Sequence, residues 1–130
     1  MEKFDHKKFF EIYRFILVGI CSVFIDFLFY YSFIYLEIVD PQNAKRISFI
    51  FEAIFAFYAN RNYVFRVNEK KLSQYIMFSL LYFTSFILNS MMHDYILLIT
   101  EITFLSFLSA TFVSTVVNFS GQKFIIFKKK

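Results

Sequence analysis

The chain has 130 residues and a formal net charge of +4, with a hydrophobic fraction of 58% and an aromatic fraction of 24% that includes 22 Phe. That length suits one domain, and a domain of this size has too little interior to hide so much apolar surface from water. The composition therefore excludes an ordinary soluble domain and points to lipid as the solvent.

Met1–Arg14 is basic, with Lys3, Lys7, Lys8 and Arg14. It lacks a small-residue cleavage site, and the apolar run behind it is long enough to stay in the membrane, so it does not read as a cleavable signal. That run, FILVGICSVFIDFLFYYSFIYL, covers Phe15–Leu36 in 22 residues with one charge. It is long enough to cross a hydrocarbon core of about 30 Å. Its lone Cys21 can form no disulfide within the chain. Next, Asp40–Pro41 reads as an N-cap followed by a first-turn proline. A second helix is expected from Pro41 to about Tyr63, with Lys45 and Arg46 in its outer turns. YIMFSLLYFTSFILNSMM (Tyr75–Met92) and ITFLSFLSATFVSTVVNFSGQ (Ile102–Gln122) carry no charge and supply two more spans. The expectation is an all-α polytopic membrane protein of four transmembrane helices, one domain over 1–130.

Four spans put 12 of the 14 Lys and Arg on one side, leaving Lys45 and Arg46 opposite, beside Glu37, Asp40, Asp94 and Glu101. Cation asymmetry then places both termini in the cytoplasm of a multi-pass cell-membrane protein. The basic character is explained by topology and anionic lipid. With no soluble domain, no nucleic-acid partner is expected.

The chain also halves near Asn68–Lys71. ANRNYVF (Ala59–Phe65) aligns with GQKFIIF (Gly121–Phe127) at an offset of 62, so that Asn60 meets Gln122 and Arg61 meets Lys123. Asp26 falls near Asn89. These matches suggest two repeated helical hairpins, about 12–66 and 74–128, related as a parallel repeat.

Small and polar residues mark inward faces better than apolar ones do in a bilayer. Gly19, Ser22, Asp26 and Tyr30 form one stripe, and Lys45, Ser48, Glu52, Ala56 and Ala59 or Asn60 another. Tyr82, Ser85, Asn89 and His93 form a third, and Thr103, Ser106, Ala110, Ser114 and Asn118 a fourth. The small residues fit close helix packing. The ionisable ones are less easily explained, because a charge at mid-bilayer costs at least about 2.5–3.5 kcal/mol. Asp26 and Glu52 are thus candidate functional residues, with a protonated, hydrogen-bonded carboxyl as the plain alternative. Lys45, Arg46 and Arg61 are expected to reach the interfaces by snorkelling, the first two at a helix N-terminus that favours anions. No metal-ligand spacing, Gly-rich phosphate loop or paired nucleophile and base is present. Neither metal, cofactor nor enzymatic activity is expected.

Two stretches carry a family resemblance. YRFILVGICSVFIDFLFYY resembles the first helix of the GtrA-like family in its Arg–Phe start, Val–Gly step and mid-helix Asp. AKRISFIFEAIFAFYANRNYVF resembles the second, through Ala44, Lys45, Ser48, Phe49, Asn60, Arg61, Tyr63 and Phe65. The chain departs from the family pattern at Glu52, where a small apolar residue is usual, at Ala56 in place of Asn, and at Gln122–Lys123 in place of Asn–Arg. The resemblance implies a translocase that moves a polyprenyl-phosphate-linked monosaccharide from the cytoplasmic to the outer leaflet, with a membrane glycosyltransferase as partner. The long tail stays in lipid, so a lateral polar groove is needed rather than a sealed pore. Asn60 and Arg61 are expected to receive the phosphate inside and Lys45 or Arg46 outside. Asp26, Glu52 and Asn89 are expected to bind sugar hydroxyls between them. Four helices enclose little room, so a homo-oligomer is expected. The alternatives are a non-transporting anchor for the glycosyltransferase and a small proton-coupled cation exporter.

Overall fold

Short polar caps set where the first two helices begin. In the computed structural model, which describes residues 5–66 and 72–126, Asp5 caps α1 (His6–Tyr35) by accepting from the backbone N–H of Lys7 at 3.0 Å. Asp40 caps α2 (Pro41–Ala59) in the same way, accepting from the Asn43 N–H at 2.8 Å with Pro41 in the first turn. Between them Glu37 takes φ 53° to reverse the chain. Helix α3 (Leu72–Thr100) and helix α4 (Thr103–Gly121) are joined through Glu101, at φ 58°. Lys3, Lys70, Lys71, Lys128–Lys130 and the last two residues of the expected second repeat lie outside the described residues.

One boundary differs from the sequence reading. Asp94 belongs to α3 and not to a loop, because the apolar run Tyr95–Ile99 carries the helix on to Thr100. Another expectation is refined. The second helix does continue past Ala59, but as a π-helical turn, Asn60–Val64, in which the Phe65 N–H donates to the Asn60 carbonyl at 2.9 Å. Helix α4 ends the same way, in the π-helical turn Gln122–Ile126. The two turns open at Asn60 and Gln122, the pair that the 62-residue offset aligns. Such turns replace i→i−4 bonds with i→i−5 bonds and often mark functional positions.

Helices α1, α3 and α4 with its π-turn are long and apolar enough to cross a membrane. Their exposed faces carry Ile16, Ile20 and Phe24 on α1, Leu80 and Phe83 on α3, and Phe112 and Val116 on α4, as a lipid-facing surface requires. Helix α2 is the polar member of the bundle. Its buried stripe, Ala44, Lys45, Ser48, Phe49, Glu52 and Ala56, repeats every three to four residues and faces the other helices. Helices α1 and α2 pack as one hairpin and α3 and α4 as a second, with α2 against α3 between them. Phe49, Ala56, Phe78 and Tyr82 form one core cluster; Tyr30, Ala44 and Phe107 form another. Helices α1 and α4 meet through aromatic rings at two levels: Phe15 with Phe119 at 5.5 Å and Phe27 with Phe107 at 5.7 Å.

Several contacts join residues 62 or 63 positions apart. The Asn60 side-chain amide donates to Gln122 Oε1 at 3.2 Å, and the Tyr30 hydroxyl lies 2.8 Å from His93 Nε2. The Lys45 ammonium sits 4.5 Å over the Phe107 ring.

Candidate functional site

The polar side chains inside the bundle form layers. At the end of the bundle where α2 begins, Arg46 and Asp94 make a partly exposed ion pair at 2.5 Å. His93 Nδ1 lies 3.3 Å from the other Asp94 oxygen, and its Nε2 meets Tyr30. A Nδ1–H tautomer satisfies both contacts, donating to the carboxylate and accepting from the phenol. This chain of four side chains ties α1, α2 and α3 together just inside the outer surface.

Below it lies the buried ion pair of Lys45 with Asp26, both side chains fully buried. Ser48 donates to the second Asp26 oxygen at 2.5 Å. Lys45 therefore does not snorkel outward: it is drawn down by a carboxylate on α1, with the Phe107 ring face completing its shell. Attraction at low dielectric outweighs the reach to the interface when both charges are desolvated together. Asn89 occupies the related place in the other hairpin and serves it: its amide donates at 3.0 Å to the Ala110 carbonyl and at 3.0 Å to Ser114 Oγ, both on α4.

Toward the end that carries the π-turns the packing opens. A cavity of about 390 Å³ lies between α1, α2 and α4, lined on one side by Ile16, Gly19, Ile20, Ser22 and Val23. Its far wall carries Glu52, Asn60, Tyr82, Thr115, Asn118 and Gln122. Ile16 and Ile20 are more than half exposed, so the cavity opens sideways onto the lipid face. At Gly19 an added Cβ would meet no atom within 4 Å, which puts this glycine at the mouth. Phe15 and Phe119, whose rings meet at 5.5 Å, line the cavity at the end nearer the π-turns.

Three buried acceptors on cavity-lining residues have no hydrogen-bond partner: Glu52 Oε2, Asn60 Oδ1 and Asn118 Oδ1. Their residues are 8%, 3% and 7% exposed. Buried polar atoms are ordinarily paired, and unpaired ones call for a reason. Glu52 also lies within electrostatic range of Asp26 and Lys45, so the cavity adjoins the ion pair.

The site residues expected from sequence thus divide. Asp26 and Lys45 come together, and Glu52 and Asn60 face the cavity. Arg61 does not join Asn60 there. It turns toward α3, 5.3 Å from the Tyr75 ring, at one end of an apolar groove of about 760 Å³ between α2 and α3 lined by Phe57, Phe78 and Phe83. Arg46 stays at the outer surface, and Asn89 braces α4. Sequence reading passed over Asn118 and Gln122 as site residues, although each stands on a stripe or motif it marked. It also missed Arg14, which donates to the Val64 carbonyl at 3.2 Å and holds the π-turn against α1. Among the described residues no group of His, Cys, Asp and Glu could hold a metal.

Residues 14–127 match a family model described as GtrA/DPMS, transmembrane domain. No curated protein and no solved structure matches the chain.

Proposed function

The chain belongs to the GtrA/DPMS transmembrane-domain family, and from that premise we propose that it is a translocase carrying a polyprenyl-phosphate-linked monosaccharide from the cytoplasmic to the outer leaflet of the cell membrane. Its family membership supports a multi-pass membrane protein that handles polyprenyl-phosphate sugars. The observation that carries the finer reading is the lateral cavity: a mainly apolar recess, open to lipid along α1, whose lining residues Glu52, Asn60 and Asn118 carry unpartnered acceptors. A lipid-linked sugar can place its head there while its tail remains among acyl chains. That is the geometry such cargo needs, since an isolated polar head in hydrocarbon is costly.

The roles follow the layers. Arg61 meets the phosphate at the cytoplasmic end, where a guanidinium can grip two oxygens; Lys123 is its sequence counterpart. Arg46, half-exposed beside Asp94, meets it at the outer end. Glu52 and Asn60 hold the sugar between them. Asp26, Lys45 and Asn89 keep the walls in place. The reading includes two repeated hairpins in one domain, a membrane glycosyltransferase that supplies the cargo, and self-association into a homo-oligomer.

Reconstitution in vesicles tests it. A labelled polyprenyl-phosphate sugar should become accessible at the opposite leaflet with the wild-type protein, and much more slowly with Arg61→Ala or Gly19→Phe. Equal rates in empty vesicles, wild type and both variants would sink the translocase. Failure of flipping with retained binding of a glycosyltransferase would favour a non-transporting anchor.

A further inference from the structure

We propose that the lateral cavity selects a sugar head bearing a free, protonated amino group, and that Glu52 reads it. The inference deepens the translocase reading and rests on the cavity being the head-group site.

The buried atoms left unpartnered on residues that line the cavity are all acceptors. Glu52 Oε2, Asn60 Oδ1 and Asn118 Oδ1 lack donors, while one N–H of the Asn60 amide goes to Gln122 and the Gln122 amide faces the Tyr82 hydroxyl at 3.5 Å. A matching ligand must therefore bring N–H or O–H donors. Charge narrows the choice. No described residue lining the cavity is cationic. The nearest ammonium, Lys45, is bound to Asp26, and the Arg14 guanidinium at the cytoplasmic end donates to the Val64 carbonyl. Asp26 and Lys45 compensate each other, so the Glu52 carboxyl, which also borders that pair, has no cation of its own.

A buried carboxylate gains most from a donor that is also a cation, because charge-assisted hydrogen bonds are roughly twice as strong as neutral ones. A protonated amine supplies three donors from one atom. Ring hydroxyls on either side of it can then reach the Asn60 and Asn118 oxygens. Thr115 and Tyr82 add hydroxyls that can donate to ring oxygens. An N-acetylated sugar loses the cation and adds bulk at the same atom, and a hydroxyl in place of the amine keeps the bulk but loses the charge.

Equilibrium binding to the full chain in lipid nanodiscs tests this. The probes are one short-chain polyprenyl phosphate carrying glucosamine, glucose or N-acetylglucosamine. The wild type should bind the free-amine head at least about 10-fold more tightly than either other, the range for a hydrogen bond to a charged partner. In Glu52→Gln that preference should collapse to about 1-fold, and Asn118→Leu should weaken all three heads alike. Equal affinity for the three heads on the wild type overturns the proposal while leaving the translocase standing. So does an amine preference that survives Glu52→Gln. Failure of all three to bind overturns the proposal and the translocase reading together. The wild-type comparison alone is decisive, whatever the variants do to folding.

Discussion

Asp26 and Lys45 show how a pair of charges is kept inside an apolar bundle. Each is fully buried, Ser48 completes the carboxylate, and a phenylalanine ring covers the ammonium. Removing one partner strands the other, at a cost of about 3–5 kcal/mol for a buried pair. Lys45→Met alone and Asp26→Asn alone should therefore each lower the resistance of the purified protein to thermal unfolding. The double variant Asp26→Asn/Lys45→Met should recover most of that loss, because no charge is left uncompensated. A double variant as unstable as the worse single one would show that the pair contributes more than mutual neutralisation. If these two residues only brace the walls, the double variant should also keep sugar transfer; its loss would return Asp26 and Lys45 to the set that touches cargo.

The helices carry most of what could be read in advance, and two glycines show where that reading stops. Asp40–Pro41 announced the start of α2, and the uncharged runs announced α3 and α4, because caps and apolar length act locally. The partner of Lys45 lies 19 residues away on another helix, so its burial was invisible to local reasoning; the snorkelling expected for it followed from Lys45 taken alone. The cavity was illegible for the same reason, since it arises from how α1 and α4 diverge between two aromatic contacts. Glu52 and Asn60 were recognisable by type, but not their separation from Arg61, which depends on which face of α2 each one takes. Gly19 and Gly121 look alike in sequence and are opposite in space. A side chain at Gly19 enters open volume, whereas one at Gly121 runs into Leu81 of α3, whose γ-carbon would lie 3.1 Å from the new Cβ. Gly19→Phe should therefore leave the unfolding midpoint within a degree or two of wild type while blocking transfer. Gly121→Phe should force α3 and α4 apart and cost about 1–3 kcal/mol, the usual range for overpacking. The two midpoints, measured side by side, check both statements.

At the scale of the whole molecule, the proposed lateral entry requires the seam between α1 and α4 to part. Bridging it should stop transfer. In a Cys21→Ser background, Phe15→Cys/Phe119→Cys joined by a short bifunctional reagent should lose transfer, and each single cysteine treated alike should keep it. Undiminished transfer by the bridged protein would mean that cargo passes elsewhere. Orientation is open to a similar test. A cysteine at Lys8 should react with a membrane-impermeant maleimide only from the cytoplasmic side, and one at Glu37 only from the outer side. The residues that meet across the bundle centre carry a last implication. Asn60 touches Gln122, Tyr30 touches His93, and Lys45 covers Phe107, each pair 62 or 63 positions apart. If the hairpins descend from one ancestral gene, a homodimer of that ancestor would have set each of these side chains against its own copy. Tyrosine and asparagine tolerate a twin, since each can both give and accept a hydrogen bond. Lysine does not, because two ammonium groups would face each other in hydrocarbon. On that descent, a lysine here fits a fused chain whose two halves are free to differ, with an aromatic ring taking the place of its mirror image.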